Sequence, residues 1–174
     1  MKLPKKTTAI TPHLTVRDVA AAAKFYEKAF GFTIKLMLPG GADGRIMHAE
    51  VGHSNCTIMI GPESLERGLR SPLTAGATPP VSLFVYVDGV DAIHARALGA
   101  GAKELLPPSE QFFGARTSIV ADPDGHQWML AEHRVELTED AMKENLAAAR
   151  LGAKGAPPPH VPTSAAPPKG PRRV

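Results

Sequence analysis

The stretch Pro12-His13-Leu14-Thr15-Val16-Arg17-Asp18-Val19 returns about 71 residues later as Ser82-Leu83-Phe84-Val85-Tyr86-Val87-Asp88-Gly89-Val90. In both copies a strand-like alternation gives way to a helical pattern. Asp18 reads as the N-cap of the first helix, with Gly31 just past its end. The second helix runs through Ile93 and Ala97 to Gly99 or Gly101. Three further strand signals follow each copy. In the first half they are residues 32–38, a turn at 40–44, residues 45–51, a turn near Gly52, and residues 56–60. In the second half they are residues 103–106, a loop ending at Gly114, residues 116–121, the turn Asp122-Pro123-Asp124-Gly125, and residues 127–131. An offset of 70 aligns Gly44 with Gly114 and Met59 with Met129. The order is therefore βαβββ twice, joined by a Pro/Gly/Ser-rich linker at 61–80. This predicts an α+β fold of two tandem modules, 9–61 and 81–133, forming a half-open curved mixed sheet around a concave pocket.

Strand alternation assigns faces within this repeat. Leu14 and Val16 share the side that covers the helix at Ala22, Tyr26 and Ala29, so Thr11, His13 and Thr15 face the other way. By the repeat, Leu83, Val85 and Val87 go to the helix side and Ser82, Phe84 and Tyr86 to the concave side. His48 and Glu50 fall on the concave side near Met59. A two-residue turn at Pro123-Asp124 would set Ser118 opposite Met129 and Val120 opposite Gln127. His126 and Trp128 read as helix-facing or turn-packing residues.

Composition narrows the function classes. The chain has 174 residues, with hydrophobic residues at 43% and charged residues at 21%, values of a globular protein. The pI near 9.1 invites a nucleic-acid reading, but Lys2, Lys5, Lys6, Lys154, Lys169, Arg172 and Arg173 lie outside residues 7–153. Within 7–153 stand 13 basic residues against 17 acidic ones, a net −4. A net basic charge is thus absent from the folded region where a nucleic-acid surface needs it. No apolar run reaches the roughly 20 residues of a membrane span, and the expectation is a cytoplasmic protein without a signal peptide. The single cysteine, Cys56, excludes an internal disulfide and a multi-cysteine zinc site, and reads as buried. Thr138 caps a predicted C-terminal helix within 134–153, through Met142, Leu146 and Ala149. Residues 154–174, rich in proline, read as a disordered basic tail.

The stretch 13–32, with Met47-His48-Ala49-Glu50, Gln111-Phe112-Phe113-Gly114 and Asp122-Pro123-Asp124-Gly125-His126-Gln127-Trp128, resembles the vicinal oxygen chelate superfamily. That superfamily includes glyoxalase I, extradiol dioxygenases and bleomycin-binding proteins, and the last pieces are similar to its PhnB-like branch. The resemblance covers residues 9–133. It implies metal ligands in the first and last strand of each half, at positions that here fall on Thr11, Met59, Ser82 and Met129. Hydroxyl and thioether groups do not hold a hard or borderline divalent ion in this way. No cofactor is therefore expected. A displaced trio, His13, His48 and Glu50, is the alternative ligand set, for a lyase, isomerase or dioxygenase. The expected ligand-binding set is Thr11, His13, His48, Glu50, Met59, Ser82, Phe84 and Met129, with Gln111, Phe113 and Arg116 where the loop ending at Gly114 meets the concavity. The expected partners are a small organic ligand and a second copy of the chain.

Overall fold

The computed structural model describes residues 10–40 and 43–151. The 154–174 tail and part of the 40–44 turn lie outside them. The elements run β1 (His13–Val16), α1 (Val19–Phe30), β2 (Thr33–Pro39), β3 (Ile46–His53), β4 (Cys56–Pro62), a short α2 (Pro72–Ala75), β5 (Ser82–Tyr86), α3 (Val90–Gly99), β6 (Lys103–Glu110), β7 (Ala115–Ala121), β8 (Gln127–His133) and α4 (Glu139–Leu151). The strands form two four-stranded mixed sheets, β1-β4-β3-β2 and β5-β8-β7-β6, so each half is one βαβββ module. β1 is parallel to β4, β5 is parallel to β8, and β4 is antiparallel to β3.

By contact, the chain divides into two compact units. Among the described residues, one comprises those up to Ser109 with Thr117–Glu132, the other Glu110–Arg116 with those from His133 to Leu151. In the first unit the helix-covered sides of both sheets share one core. Leu14, Val16, Ala49, Val51, Ile58 and Ile60 cover α1 from the first sheet, and Val120, Trp128 and Leu130 come from the second. Trp128 packs on Tyr26 and Phe30 with ring centroids 5.0 and 4.9 Å apart.

Local chemistry accounts for the helix ends. Asp18 accepts from the Ala21 N–H at 2.9 Å, and Gly31 stops α1 at φ 75°, in the left-handed region that suits glycine. α3 starts differently. Gly89 holds the N-cap position with φ 73°, and the Val90 N–H donates 2.9 Å to Glu132 Oε2 from β8, so Asp88 does not repeat the role of Asp18. In the second unit Thr138 Oγ1 accepts from the Ala141 N–H at 3.3 Å, as its sequence position predicts.

Four features depart from the sequence reading. The linker contains α2, opened by Pro72 and capped by Ser71. β6 runs on to Glu110 through Pro107 and Pro108; on an edge strand two successive prolines cost at most one ladder N–H, because one of the two nitrogens points away from β7. The β7–β8 hairpin closes with the Asp122 N–H on the His126 carbonyl at 3.0 Å, wider than a two-residue turn. Antiparallel continuation from that pair sets Val120 opposite Trp128, one residue away from the expected register. Val120 is accordingly fully buried in the core. Finally, Cys56 is only half-buried.

Candidate functional site: the outer sheet faces

In the first unit, the faces of both sheets opposite the core carry the residues that the alternation directs away from the helices. On the first sheet one row crosses from His13 on β1 to Met59 on β4, Glu50 on β3 and Leu36 on β2. The neighbouring row sets His48 opposite Leu38. His48 Nε2 lies 3.4 Å from Glu50 Oε1, and both side chains are about 30% exposed. The His13 ring lies against Gly61 on β4. A Cβ there would stand 2.9 Å from Cε1 and 3.0 Å from Nε2 of that ring, so glycine leaves the imidazole its resting place.

A register shift between Ile34 and Leu36 makes Lys35 an inserted residue. Plain alternation would group Ile34, Leu36 and Leu38 on one face. The bulge instead turns Ile34 and Met37 to the core, while Lys35, Leu36 and Leu38 share the outer face. Lys35 lies across Gly52 of β3, and its ammonium donates to Thr57 Oγ1 at 2.9 Å and to the Cys56 carbonyl at 3.4 Å. Thr57 is almost wholly buried beneath it. Sequence reasoning does not find this lysine, since a bulge leaves no mark in the alternation. Gly52, the one residue that lets it lie flat, is the available signal.

On the second sheet Ser82 stands opposite Gln127, and Phe84 opposite Met129. Phe84 and Tyr86 pack edge to face at 5.2 Å and are 46% and 59% exposed. Leu38 at 46% and Leu106 at 55% add to the apolar area left outward. Thr11 is half-buried in the segment leading into β1.

Gln111, Phe113 and Arg116 belong to the second unit. Gln111 opens a tight turn, its N–H donating 2.7 Å to the Ala115 carbonyl. Phe113 packs edge to face on Phe112, and Arg116 pairs with Glu110 at 3.3 Å. The structure therefore gathers His13, His48, Glu50 and Met59 on one sheet face and Ser82, Phe84 and Met129 on another.

Met59 separates His13 from Glu50 across the strands, and among the described residues no group of three or more His, Cys, Asp or Glu side chains could hold a metal ion. A soft thioether between an imidazole and a carboxylate is poor company for zinc, manganese or iron.

Behind these faces lies a buried polar network. Asp122 Oδ2 accepts from Tyr26 Oη at 2.8 Å and Trp128 Nε1 at 3.0 Å, while Oδ1 accepts the N–H groups of Asp124 and His126 at 2.9 Å. Burial first, then the Asp122 charge, pushes the Tyr26 phenol well above its ordinary range. Arg17 Nε donates 2.8 Å to Asp124 Oδ1, which keeps the guanidinium more firmly protonated than usual. Two histidines also reach from one module to the other. His126 Nε2 donates to the Thr15 carbonyl at 2.9 Å, and His53 Nε2 donates to the Tyr86 carbonyl at 2.8 Å.

The model of the Glyoxalase/Bleomycin resistance protein/Dioxygenase superfamily matches residues 8–130, and the chain belongs to that superfamily. The chain is 36% identical over 138 residues to the uncharacterized protein Mb0911c of Mycobacterium bovis, covering 78% of this chain and 90% of that protein. It is equally similar to the uncharacterized protein Rv0887c of Mycobacterium tuberculosis, of which the match covers 80%. Among solved structures, TioX from Micromonospora sp. ML1 is 27% identical with a TM-score of 0.57, over 72% of this chain and 98% of TioX. A glyoxalase-related enzyme from Fulvimarina pelagi, 20% identical with a TM-score of 0.53 over 72% of this chain and 89% of its own, shares the fold.

Proposed function

We propose that the protein binds a small organic molecule without a metal ion, in a cleft closed when the outer sheet faces of two copies meet. The observation that carries this reading is the chemistry of those faces. Large apolar side chains, Leu36, Leu38, Phe84 and Tyr86, stand exposed beside a few fixed polar groups, the His48–Glu50 pair and the Lys35–Thr57 pair. A mostly apolar wall with sparse polar anchors is the composition of a small-molecule site, and an apolar face of this kind favours cover by a partner. Met59 and Met129 supply polarisable, adaptable surface where metal-dependent relatives need charged ligands. Placement in the PhnB-like branch rests on the resemblance of the Met47–Glu50, Gln111–Gly114 and Asp122–Trp128 pieces. Action in the cytoplasm accords with the single cysteine, and no helix among the described residues is long and apolar enough to cross a membrane.

The test is a thermal-shift screen of chelator-treated protein against small organic compounds, with and without added zinc, manganese, nickel or ferrous ion. Stabilisation by a compound in the absence of metal is expected. About one metal per chain after purification, lost on His13→Ala or Glu50→Gln, would contradict the reading.

A further inference from the structure

A cavity in the first unit touches the outer faces only along β1, at His13 and Thr15. It has a volume of about 480 Å³ and sits where the edge strands β1 and β5 approach the segment 70–81. Leu14 and Leu83 form its apolar base, with Pro72, Ala75, Pro80 and Val81 around it. The polar groups on its wall are Thr15, Thr78, Arg70 and the imidazoles of His13 and His126. No acidic residue lines it.

We infer that this cavity is a second ligand site, taking an apolar, ring-containing molecule that carries one anionic group such as a carboxylate or sulfonate. Three observations converge on it. First, the volume lies within the range of small-molecule pockets, and the lining is mostly aliphatic and proline carbon. Second, the charge is one-sided. Arg70 is exposed and engages no carboxylate or carbonyl among the described residues, and the His13 imidazole makes no hydrogen bond there. β1 adds further donors. The carbonyls of Pro12 and Val16 face β4, where they accept from Met59 and Glu63 N–H groups. Residues of the other parity therefore point their N–H groups away from β4, at His13 and Thr15. His126 takes the Thr15 carbonyl on that edge and leaves the N–H groups to an acceptor.

Third, the wall is built rather than loose. Glu63 Oε1 accepts from both the N–H and the hydroxyl of Ser71, at 2.8 and 2.6 Å, and the Ser71 hydroxyl, foremost, draws the Glu63 carboxyl below its ordinary range. The Leu73 N–H donates 2.9 Å to the Asp124 carbonyl, an approach so close that a Cβ on Gly125 would stand 2.9 Å from the Leu73 nitrogen. Prolines 72, 79 and 80 restrict the backbone between these anchors. A preformed wall lowers the ordering cost of binding. The site meets the outer-face reading only at His13 and Thr15 of β1, and its other lining residues lie off those faces.

The test uses the full chain and two naphthylamine probes, the anionic 8-anilinonaphthalene-1-sulfonate and the neutral N-phenyl-1-naphthylamine. Both are followed by fluorescence titration and by amide chemical shifts. The sulfonate should bind one per chain and shift the amides of Ala75, Ala77, Val81 and Leu83. Arg70→Gln should weaken the sulfonate about tenfold while changing the neutral probe less than about twofold. Ala75→Trp, checked for an unchanged circular dichroism melt, should remove both. Shifts confined to Leu36, Leu38 and Tyr86 would overturn the inference while favouring the outer faces as the binding surface. Equal affinity of both probes for the wild type and Arg70→Gln would overturn the anion preference on which it stands.

Discussion

Replacing Tyr26 by phenylalanine removes one oxygen atom from the centre of the first unit. The Tyr26 hydroxyl is buried with its residue at 1% exposure and donates 2.8 Å to Asp122 Oδ2, an oxygen that also receives Trp128 Nε1. The lost bond is one to a buried carboxylate, and the ring itself keeps its packing against Phe30 and Trp128. A hydrogen bond of that kind contributes about 2 kcal/mol, and for a chain of this size that lowers Tm by about 4–8 °C. The alkaline limb adds a signature that packing alone does not give. Tyr26 has its folded pKa raised above the unfolded value. Its contribution is therefore fully present below the unfolded tyrosine pKa near 10 and declines as pH rises past it, since only the unfolded chain ionises freely. Urea titrations of both proteins between pH 7 and 11 should show a gap of about 2 kcal/mol that narrows above about pH 10. A Tyr26→Phe protein as stable as the wild type, or a gap constant to pH 11, would refute the reasoning.

Three other perturbations follow from the geometry. His126→Ala and His53→Ala should each cost about 1–2 kcal/mol by leaving the Thr15 or Tyr86 carbonyl unpaired, with His53 the costlier because its ring also stacks on Phe32 at 4.9 Å; denaturant melts read both. Gly52→Ala should be mildly destabilising in the wild type, where the new methyl displaces Lys35, but neutral or stabilising in a Lys35→Ala background, a sign change that a double-mutant cycle detects. Leu130→Ala, at a fully buried core position, should cost about 2–5 kcal/mol, whereas His13→Ala or His48→Ala should cost less than about 1 kcal/mol because each side chain is at least partly open to solvent; equal losses would make these histidines core residues.

The features legible in the sequence are those set by neighbouring residues. Asp18, Gly31 and Thr138 act within one helical turn, and each end they predict is where the structure has it. The repeated Leu-x-Val and Leu-x-Val-x-Val strands likewise carry their own face assignment. Register did not share this transparency. The Asp122 side chain widens its hairpin by accepting two backbone N–H groups, and that moved Val120 opposite Trp128. The bulge at Lys35 likewise reversed the faces of Leu36 and Met37 from plain alternation. Leu83, whose pattern puts it on the helix side, is only half-buried because the cavity roofed by segment 70–81 opens beside it. The cap of α3 comes from Glu132, more than 40 residues away, beyond the reach of any capping pattern.

Sedimentation equilibrium on the full chain at micromolar concentration tests the proposed cleft most directly, because the outer faces close only if two copies meet. The account predicts a species of twice the 18.4 kDa chain mass that shifts toward the monomer on Leu38→Asp, a charge placed within the exposed apolar face. A single 18.4 kDa species for the wild type, unchanged by added small molecules, would contradict it.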